Sequence, residues 1–330
     1  MSTIAVLGAG SWGTALAIVL ARNGHDVKLW GRDLSQLELM KKSRCNQRYL
    51  EEIILPDRIQ IVFDLREALE GIQDILLVVP SEGFRSILED IKDKIRGDAR
   101  IAWATKGLDP GTGLFLHQLA EQILGKQHPF AILAGPSFAR EVALGLPTAV
   151  TIAGLDRTFT NDLLNYFHSA TFRVYLSEDL IGVEVGSVVK NVLAVATGIA
   201  DGLGLGANTR AALITRGLAE MMRLGLTLGG KRETFMGLAG LGDLVLTCTD
   251  NQSRNRRFGL ALGAGRTSIQ AQEAIGQVIE ALANTGEVFD LAQKSGIEMP
   301  IVEQVYRVLR RESTPREAVQ ALMKREPKSE

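Results

Sequence analysis

The chain has 330 residues, more than a typical single domain, and its 46% hydrophobic content is ordinary for a globular protein with a sizeable core. A formal net charge of −1 offers no general attraction for nucleic acid or acidic membrane, and 5% aromatic residues leave no basic–aromatic array for stacking bases. Its two cysteines, Cys45 and Cys248, are too few for a disulfide framework and have no metal-ligand spacing.

The chain starts Met1-Ser2-Thr3 and goes straight into an apolar run, without a basic n-region or a signal core, so a cytoplasmic protein is expected. Candidate strands follow at Ile4–Leu7, Asp26–Trp30, Ile59–Phe63, Ile75–Val79, Ile101–Ala104, Ala131–Ala134, Thr148–Ile152 and Phe172–Val174. The unbroken apolar run Ile75–Val79 suits a strand covered on both faces. Helical patterns lie between them, and Asp33 with Gln36 and Asp64 with Glu67 each resemble a capping box. Such alternation predicts a doubly wound, mostly parallel Rossmann-type sheet.

The strand signal fades near Ser187. The stretch Val185–Ala200 is apolar, yet it is shorter than a membrane span and carries Lys190, so no membrane span is expected. Helices are predicted at Thr209–Leu228, Ser268–Thr285, Thr285–Ser295, Ile301–Arg311 and Pro315–Lys324. The expected division is a dinucleotide-binding domain over 1–186 and an all-α substrate-binding domain over 187–330, with a frayed end from Glu326 to Glu330.

Gly8-Ala9-Gly10-Ser11-Trp12-Gly13 directly follows the first strand and opens an Ala/Leu-rich helix, the context a dinucleotide fingerprint requires. Its glycines provide the turn, the backbone approach to a pyrophosphate and the helix–strand contact, and the diphosphate sits on the helix N-terminus. The second strand is followed by Gly31-Arg32, where an NAD-selective site would place Asp or Glu. Arg32 is suited to a ribose 2′-phosphate, while Asp33 is committed as a cap. NADPH is therefore expected to be used at least as well as NADH.

Lys190 is the only charge between Glu184 and Asp201, and Val188, Val189, Val192, Leu193 and Ala194 surround it. An unpaired buried ammonium is costly and responds with a lowered pKa, which suits a proton acceptor or donor near neutrality. A snorkelling lysine, or one half of a buried ion pair, is the alternative. Asn191 lies about 100° further round the same helix, lining the same site or bonded to backbone. Lys106 follows the strand Ile101–Ala104, at the carboxyl edge where ligands of open parallel sheets bind. Gly135-Pro136-Ser137-Phe138-Ala139 brings amides and a hydroxyl to the same edge.

Between Gly237 and Gly259, a glycine-rich loop delivers Asp243, and Ser253-Arg254-Asn255 follows with Arg256 and Arg257. The apolar run from Phe258 suggests a helix starting there, so these donors form an anion receptor for a small phosphorylated substrate. A solvated basic turn is the alternative. His25, His117, His128 and His168 are scattered, leaving hydrolase triads and metal sites without support.

Taken in order, these pieces resemble the bacterial type of NAD(P)-dependent glycerol-3-phosphate dehydrogenase. The resemblance rests on Gly8–Gly13, Val79-Pro80-Ser81, Ala104-Thr105-Lys106-Gly107, Gly135–Ala139 with Glu141, Val189-Lys190-Asn191, Gly240–Thr247 and Ser253–Arg257, which span nearly the whole chain. It implies reversible hydride transfer between nicotinamide and C2 of dihydroxyacetone phosphate or sn-glycerol 3-phosphate, supplying glycerophospholipid synthesis. By resemblance, Lys190 is the proton acceptor and Lys106 binds both substrate and cofactor. Gly135, Ser137, Asp243, Ser253, Arg254 and Asn255 match substrate contacts. Ser11, Trp12, Arg32, Lys106, Ala139, Arg254, Val278 and Glu280 match cofactor contacts. Many family members have His where this chain has Arg32, so the resemblance leaves the coenzyme preference open. A homodimer is expected from the Leu and Ala that the helical half offers for pairing.

Two other readings compete. A 3-hydroxyacid or sugar-acid dehydrogenase shares the two-domain architecture and the catalytic lysine, but needs a carboxylate receptor. A cofactor-sensing regulatory protein would bind NAD(P)H without any need for Lys190.

Overall fold

A computed structural model describes residues 1–326, so of the frayed end expected over Glu326–Glu330 only Glu326 is among the described residues. The chain divides into two compact units, one of Met1–Asp109 with Leu114–Leu180, the other of Pro110–Gly113 with the described residues from Ile181 on.

The first unit is built in chain order from β1 (Thr3–Leu7), α1 (Ser11–Arg22), β2 (Asp26–Trp30), α2 (Leu34–Ser43), β3 (Cys45–Asn46), β4 (Leu50–Ile54), β5 (Ile59–Val62) and α3 (Leu65–Leu69). It continues through β6 (Asp74–Leu77), α4 (Ser81–Ile91), β7 (Arg100–Trp103), α5 (Leu116–Leu124), β8 (Phe130–Ala134), α6 (Ala139–Leu144), β9 (Thr148–Gly154), α7 (Arg157–Phe167) and β10 (Phe172–Ser177). All eight expected strands form one sheet, in the order β10-β9-β8-β7-β6-β1-β2-β5. Every neighbouring pair is parallel except β8 with β9. After β5 the chain crosses to the far side of β1, so the strand order reverses between β1 and β6. Ligands of doubly wound sheets bind at the carboxyl ends beside such a reversal. Leu7, Leu29, Leu77 and Ala131 have no exposed surface, as strands covered on both faces require.

The antiparallel hairpin β3–β4 was not expected. Two residues of β3 are too short a run to show alternation. Asp33 and Asp64 do cap α2 and α3, accepting from Gln36 N and Glu67 N. Gln36 does not reciprocate; its side chain is used elsewhere.

The second unit is helical: α8 (Leu180–Gly202), α9 (Gly206–Thr227), α10 (Arg232–Met236), α11 (Asp243–Thr249), α12 (Arg254–Gly263), α13 (Ser268–Ile275), α14 (Glu280–Lys294), α15 (Pro300–Leu309) and α16 (Pro315–Met323). The boundary expected after residue 186 falls inside α8, because this helix runs unbroken from Leu180. α8 is long and apolar enough to cross a membrane, but 94% of its most apolar window is buried inside the fold, as befits a core helix. The single helix expected over Ser268–Thr285 is two. Gly276 takes a left-handed conformation (φ 63°) and ends α13, and α14 starts afresh at Glu280.

α8 and α12 meet through glycines. A Cβ on Gly198 or Gly202 of α8 would collide with the backbone of α12 at Arg256 and Leu260. One on Gly259 or Gly263 of α12 would collide with Val195 and Ile199 of α8. Four missing side chains thus let two backbones touch. On α9, Glu220 is buried and accepts from Ile301 N (2.8 Å) and Val302 N (3.3 Å), capping α15 from outside.

Candidate active site

In the first unit, the turn after β1 is shaped by its surroundings. Gly8 has φ 128°, and a Cβ there would strike the Val78 carbonyl; one on Gly13 would strike the Gly8 carbonyl. Both glycines are demanded by the protein's own packing. Gly10 differs, since a Cβ there would meet nothing within 4 Å. It is the N-cap of α1 and gives no side-chain cap, so the first-turn amides of Ser11, Trp12 and Gly13 lie without a capping partner. The buried Trp12 Nε1 also has no acceptor among the described residues. Open space over uncapped amides at a helix N-terminus fits the diphosphate of a dinucleotide.

The other residues expected here sit on the same carboxyl edge. Arg32 follows β2, is exposed, and has no ion pair or hydrogen bond among the described residues; its guanidinium is 3.9 Å from where a Cβ on Gly83 would be. The loop after β7 is held by Thr105, whose hydroxyl donates to the Val79 carbonyl at 2.8 Å, and it carries the half-buried Lys106. After β8, Gly135 has φ 138° and fits closely over Val150, and the Ser137 hydroxyl donates to the Gly135 carbonyl at 3.0 Å. Ala139, half-buried, starts α6.

In the second unit, Lys190 is 5% exposed among the valines of α8. The expectation of an unpaired amine is corrected: Lys190 Nζ lies 2.5 Å from Asp243 Oδ1 and 3.0 Å from Thr247 Oγ1. The Thr247 hydroxyl donates to the main-chain carbonyl of Asp243 at 2.6 Å, which locks the three groups together. Burial opposes the ammonium form and the carboxylate favours it, so desolvation alone does not describe this amine. Asp243 was expected to touch substrate, and here it holds Lys190. It is carried not by a loop but by the first position of α11, after a π-helical turn over Leu238–Gly242. The Cys248 thiol nearby is fully buried, and burial pushes its pKa up to about 12, so it stays protonated and unreactive.

The expected donor array is divided in two. α12 begins at Arg254, not at Phe258, because Ser253 caps it by accepting from Arg256 N at 3.2 Å. The buried Asn255 gives its amide N–H to Asn191 Oδ1 (2.9 Å) and accepts from Ala281 N (3.1 Å) at the start of α14. Asn191 in turn donates to Glu280 Oε2 at 3.0 Å, which settles what its side chain does here. Arg256 is buried and spent on the Cys248 carbonyl, Asn251 and Asp201, so it holds loop to helix and adds no positive charge to a receptor. Arg257 is exposed. What remains for an anion is Arg254, whose nearest carboxylate is Glu280 at 3.7 Å, beside the N-terminal amides of α12. Val278, exposed, precedes α14.

Sequence reading missed Asn46, Gln36 and Thr247. Asn46 sits on the unforeseen hairpin, and Gln36 passes for a helix-cap residue. Thr247 lies four residues after Asp243, a spacing that puts both on one helix face.

The family matches and the relatives above half identity agree with one another. Residues 3–160 match the N-terminal and 179–320 the C-terminal region of NAD-dependent glycerol-3-phosphate dehydrogenase. The chain is 55% identical over 328 residues to a glycerol-3-phosphate dehydrogenase (NAD(P)+) of Shewanella baltica (strain OS185), covering 99% of this chain and 97% of that protein. It is 54% identical to the protein of that name from Pseudoalteromonas translucida, over 100% of this chain and 98% of the other. The crystal structure of glycerol-3-phosphate dehydrogenase from Coxiella burnetii superposes with a TM-score of 0.96 at 54% identity, covering 98% of this chain and 99% of that one. A ketopantoate reductase from Ralstonia eutropha JMP134, at 15% identity and a TM-score of 0.61, shares the fold.

Proposed function

This chain belongs to the NAD-dependent glycerol-3-phosphate dehydrogenase family, and we propose that it catalyses reversible hydride transfer between NAD(P)H and dihydroxyacetone phosphate, giving sn-glycerol 3-phosphate for glycerophospholipid synthesis. The observation that carries the chemistry is the buried amine of Lys190 held between Asp243 and Thr247. In the reductive direction its ammonium donates a proton to the C2 oxygen as the ketone becomes an alcohol; in the oxidative direction the amine takes that proton back. Asp243 keeps the nitrogen in place through both and stabilises its charged form.

The coenzyme, when bound, supplies the hydride. Gly8, Gly10, Ser11, Trp12 and Gly13 would hold it, with Ala139, Lys106 and Arg32 at the same sheet edge. On the second unit, Arg254, Val278 and Glu280 would complete its contacts. Lys106, Gly135, Ser137, Ser253, Arg254 and Asn255 would take the phosphorylated substrate, with Arg254 the strongest anion ligand among them. Asn255 would have to share the amide it now gives to Asn191. The unpaired Arg32 supports use of NADPH at least as readily as NADH. The reading includes a homodimer, supported by apolar surface such as Leu205, Leu226 and Val245, and a cytoplasmic location, in keeping with two free thiols.

Absorbance at 340 nm, followed with NADH and with NADPH against dihydroxyacetone phosphate, oxaloacetate and 2-ketopantoate, tests the proposal. Oxidation with dihydroxyacetone phosphate alone is the expected result. Turnover confined to the carboxylate substrates would transfer the chain to the hydroxyacid dehydrogenases instead.

A further inference from the structure

Asn46 presents an unusual placement: an amide side chain with no exposed surface, on a two-residue strand. Burying such a group costs free energy unless its hydrogen bonds are made. Its side-chain bonds lead to the turn after β1, to the first turn of α1, and to a second residue bonded to that same turn. Asn46 Nδ2 donates to the Ala9 carbonyl at 3.0 Å and to Thr14 Oγ1 at 2.8 Å. Gln36 Nε2 donates to the same Ala9 carbonyl at 2.7 Å and to Asn46 Oδ1 at 3.2 Å. Gln36 is itself fixed by the Asp33 cap on its main-chain N–H. On the other side Ala9 is boxed in by Gly31, where an added Cβ would come within 3.0 Å of the Ala9 Cβ.

We propose that Asn46 and Gln36 are positioning residues for the coenzyme diphosphate: they pin the Ala9 carbonyl and thereby aim the amides that follow it. The peptide between Ala9 and Gly10 is planar and trans, so its N–H points opposite to its C=O. Two donors on the carbonyl therefore turn the Gly10 N–H away from α2 and the β3–β4 hairpin. That N–H meets no acceptor among the described residues, and the space where a Gly10 side chain would lie is open. The bond to Thr14 fixes the first turn of α1 to the same brace, so turn and helix start move as one body. This also gives the hairpin a purpose: it brings an asparagine from outside the fingerprint up to the loop. The inference rests on the coenzyme reading above and extends it to residues that do not touch the coenzyme.

Two variants and three ligands test it. Gln36→Met removes the donor at a half-buried position with little change of shape, and Asn46→Asp faces the Ala9 carbonyl with an acceptor. Binding of NADPH, ADP-ribose and adenosine 2′-monophosphate is measured by fluorescence or calorimetry, alongside thermal unfolding. Gln36→Met is expected to weaken both diphosphate ligands by about fivefold or more, as for a lost hydrogen bond on a charge-binding peptide. Adenosine 2′-monophosphate, which has no diphosphate, and kcat at saturating coenzyme should stay within about twofold in the same variant. Asn46→Asp should repeat the pattern more strongly wherever its melting temperature shows it folded. Wild-type affinity of Gln36→Met for both diphosphate ligands, or an equal loss for all three ligands, overturns the proposal. If the wild type bound neither NADPH nor ADP-ribose, the dehydrogenase reading would fall as well; if it bound them and both variants did too, only the brace would fall.

Discussion

The two units present their functional groups in opposite ways. In the first, the groups that would meet a ligand are left open: uncapped amides at the start of α1, empty space at Gly10 and an unpaired Arg32. In the second, the buried groups of the candidate site are bonded to one another, as Lys190 to Asp243, Asn255 to Asn191, and Arg256 to Asp201. Backbone amides are aimed by the helix and by the brace on the Ala9 carbonyl that fixes its first turn. Long side chains have no such frame, and a reaction that moves a proton needs its amine held to within a fraction of an ångström. The difference predicts that substitutions among the bonded catalytic groups disturb stability and turnover together, while those of the open groups alter affinity alone.

Lys190→Ala gives the largest effect and the sharpest separation. Turnover should fall by about 10²–10⁴-fold with coenzyme binding retained. Removing the cation also takes the buried counter-charge away from Asp243, at a cost of about 3–5 kcal/mol. The double variant Lys190→Ala/Asp243→Asn should recover much of that stability in a melting experiment without recovering turnover. Near-normal turnover of a folded Lys190→Ala enzyme would end the assignment.

Arg254→Ala should raise the KM for dihydroxyacetone phosphate by on the order of tenfold or more, since it removes a charge-assisted bond while the buried Asn255 and Arg256 still hold α12. Arg32→Ala belongs to the open set and should leave the melting temperature unchanged. Its KM for NADPH should rise by several-fold to about tenfold, with NADH little affected, as for a solvent-exposed charge contact. Equal loss with both coenzymes would remove Arg32 from 2′-phosphate recognition.

An effect on stability alone tests whether the bonded character of the second unit reaches beyond its chemistry. Burial pushes the Glu220 carboxyl up to about 7, against the opposing influence of the Ile301 and Val302 amides it accepts from. The folded protein thus holds a proton there that the unfolded chain has already lost. The stabilisation is complete below about pH 4.5 and is lost as pH rises to about 7, amounting to roughly 3 kcal/mol. Glu220→Gln should flatten the fall in melting temperature across that window; an unchanged profile would show that Glu220 is not its source.

How much was legible follows the same division. The sheet could be read strand by strand, and the glycine turn after β1 too, because Gly8 and Gly13 answer to local packing that any such turn shares. Lys190 stood out as a charge among valines, and Arg254 as a cation near a helix start. Its counter-ion did not stand out, because Asp243 lies 53 residues away and only tertiary folding brings the two together. The same holds for Asn46, whose 37-residue reach to Ala9 leaves no periodic trace. Arg256 misled for a related reason: sequence shows charge, but not whether Asp201 has already cancelled it.

The contact between α8 and α12 carries a further consequence. Lys190 and Arg254 ride on these two helices, and Gly198, Gly202, Gly259 and Gly263 leave no side-chain padding between them. A methyl group at any of the four would act as a shim, prising the helix with the amine away from the helix with the guanidinium. Positions that bear no side chain would therefore govern the spacing of Lys190 and Arg254, and attempts to retune this protein should treat the seam as a fixed gauge.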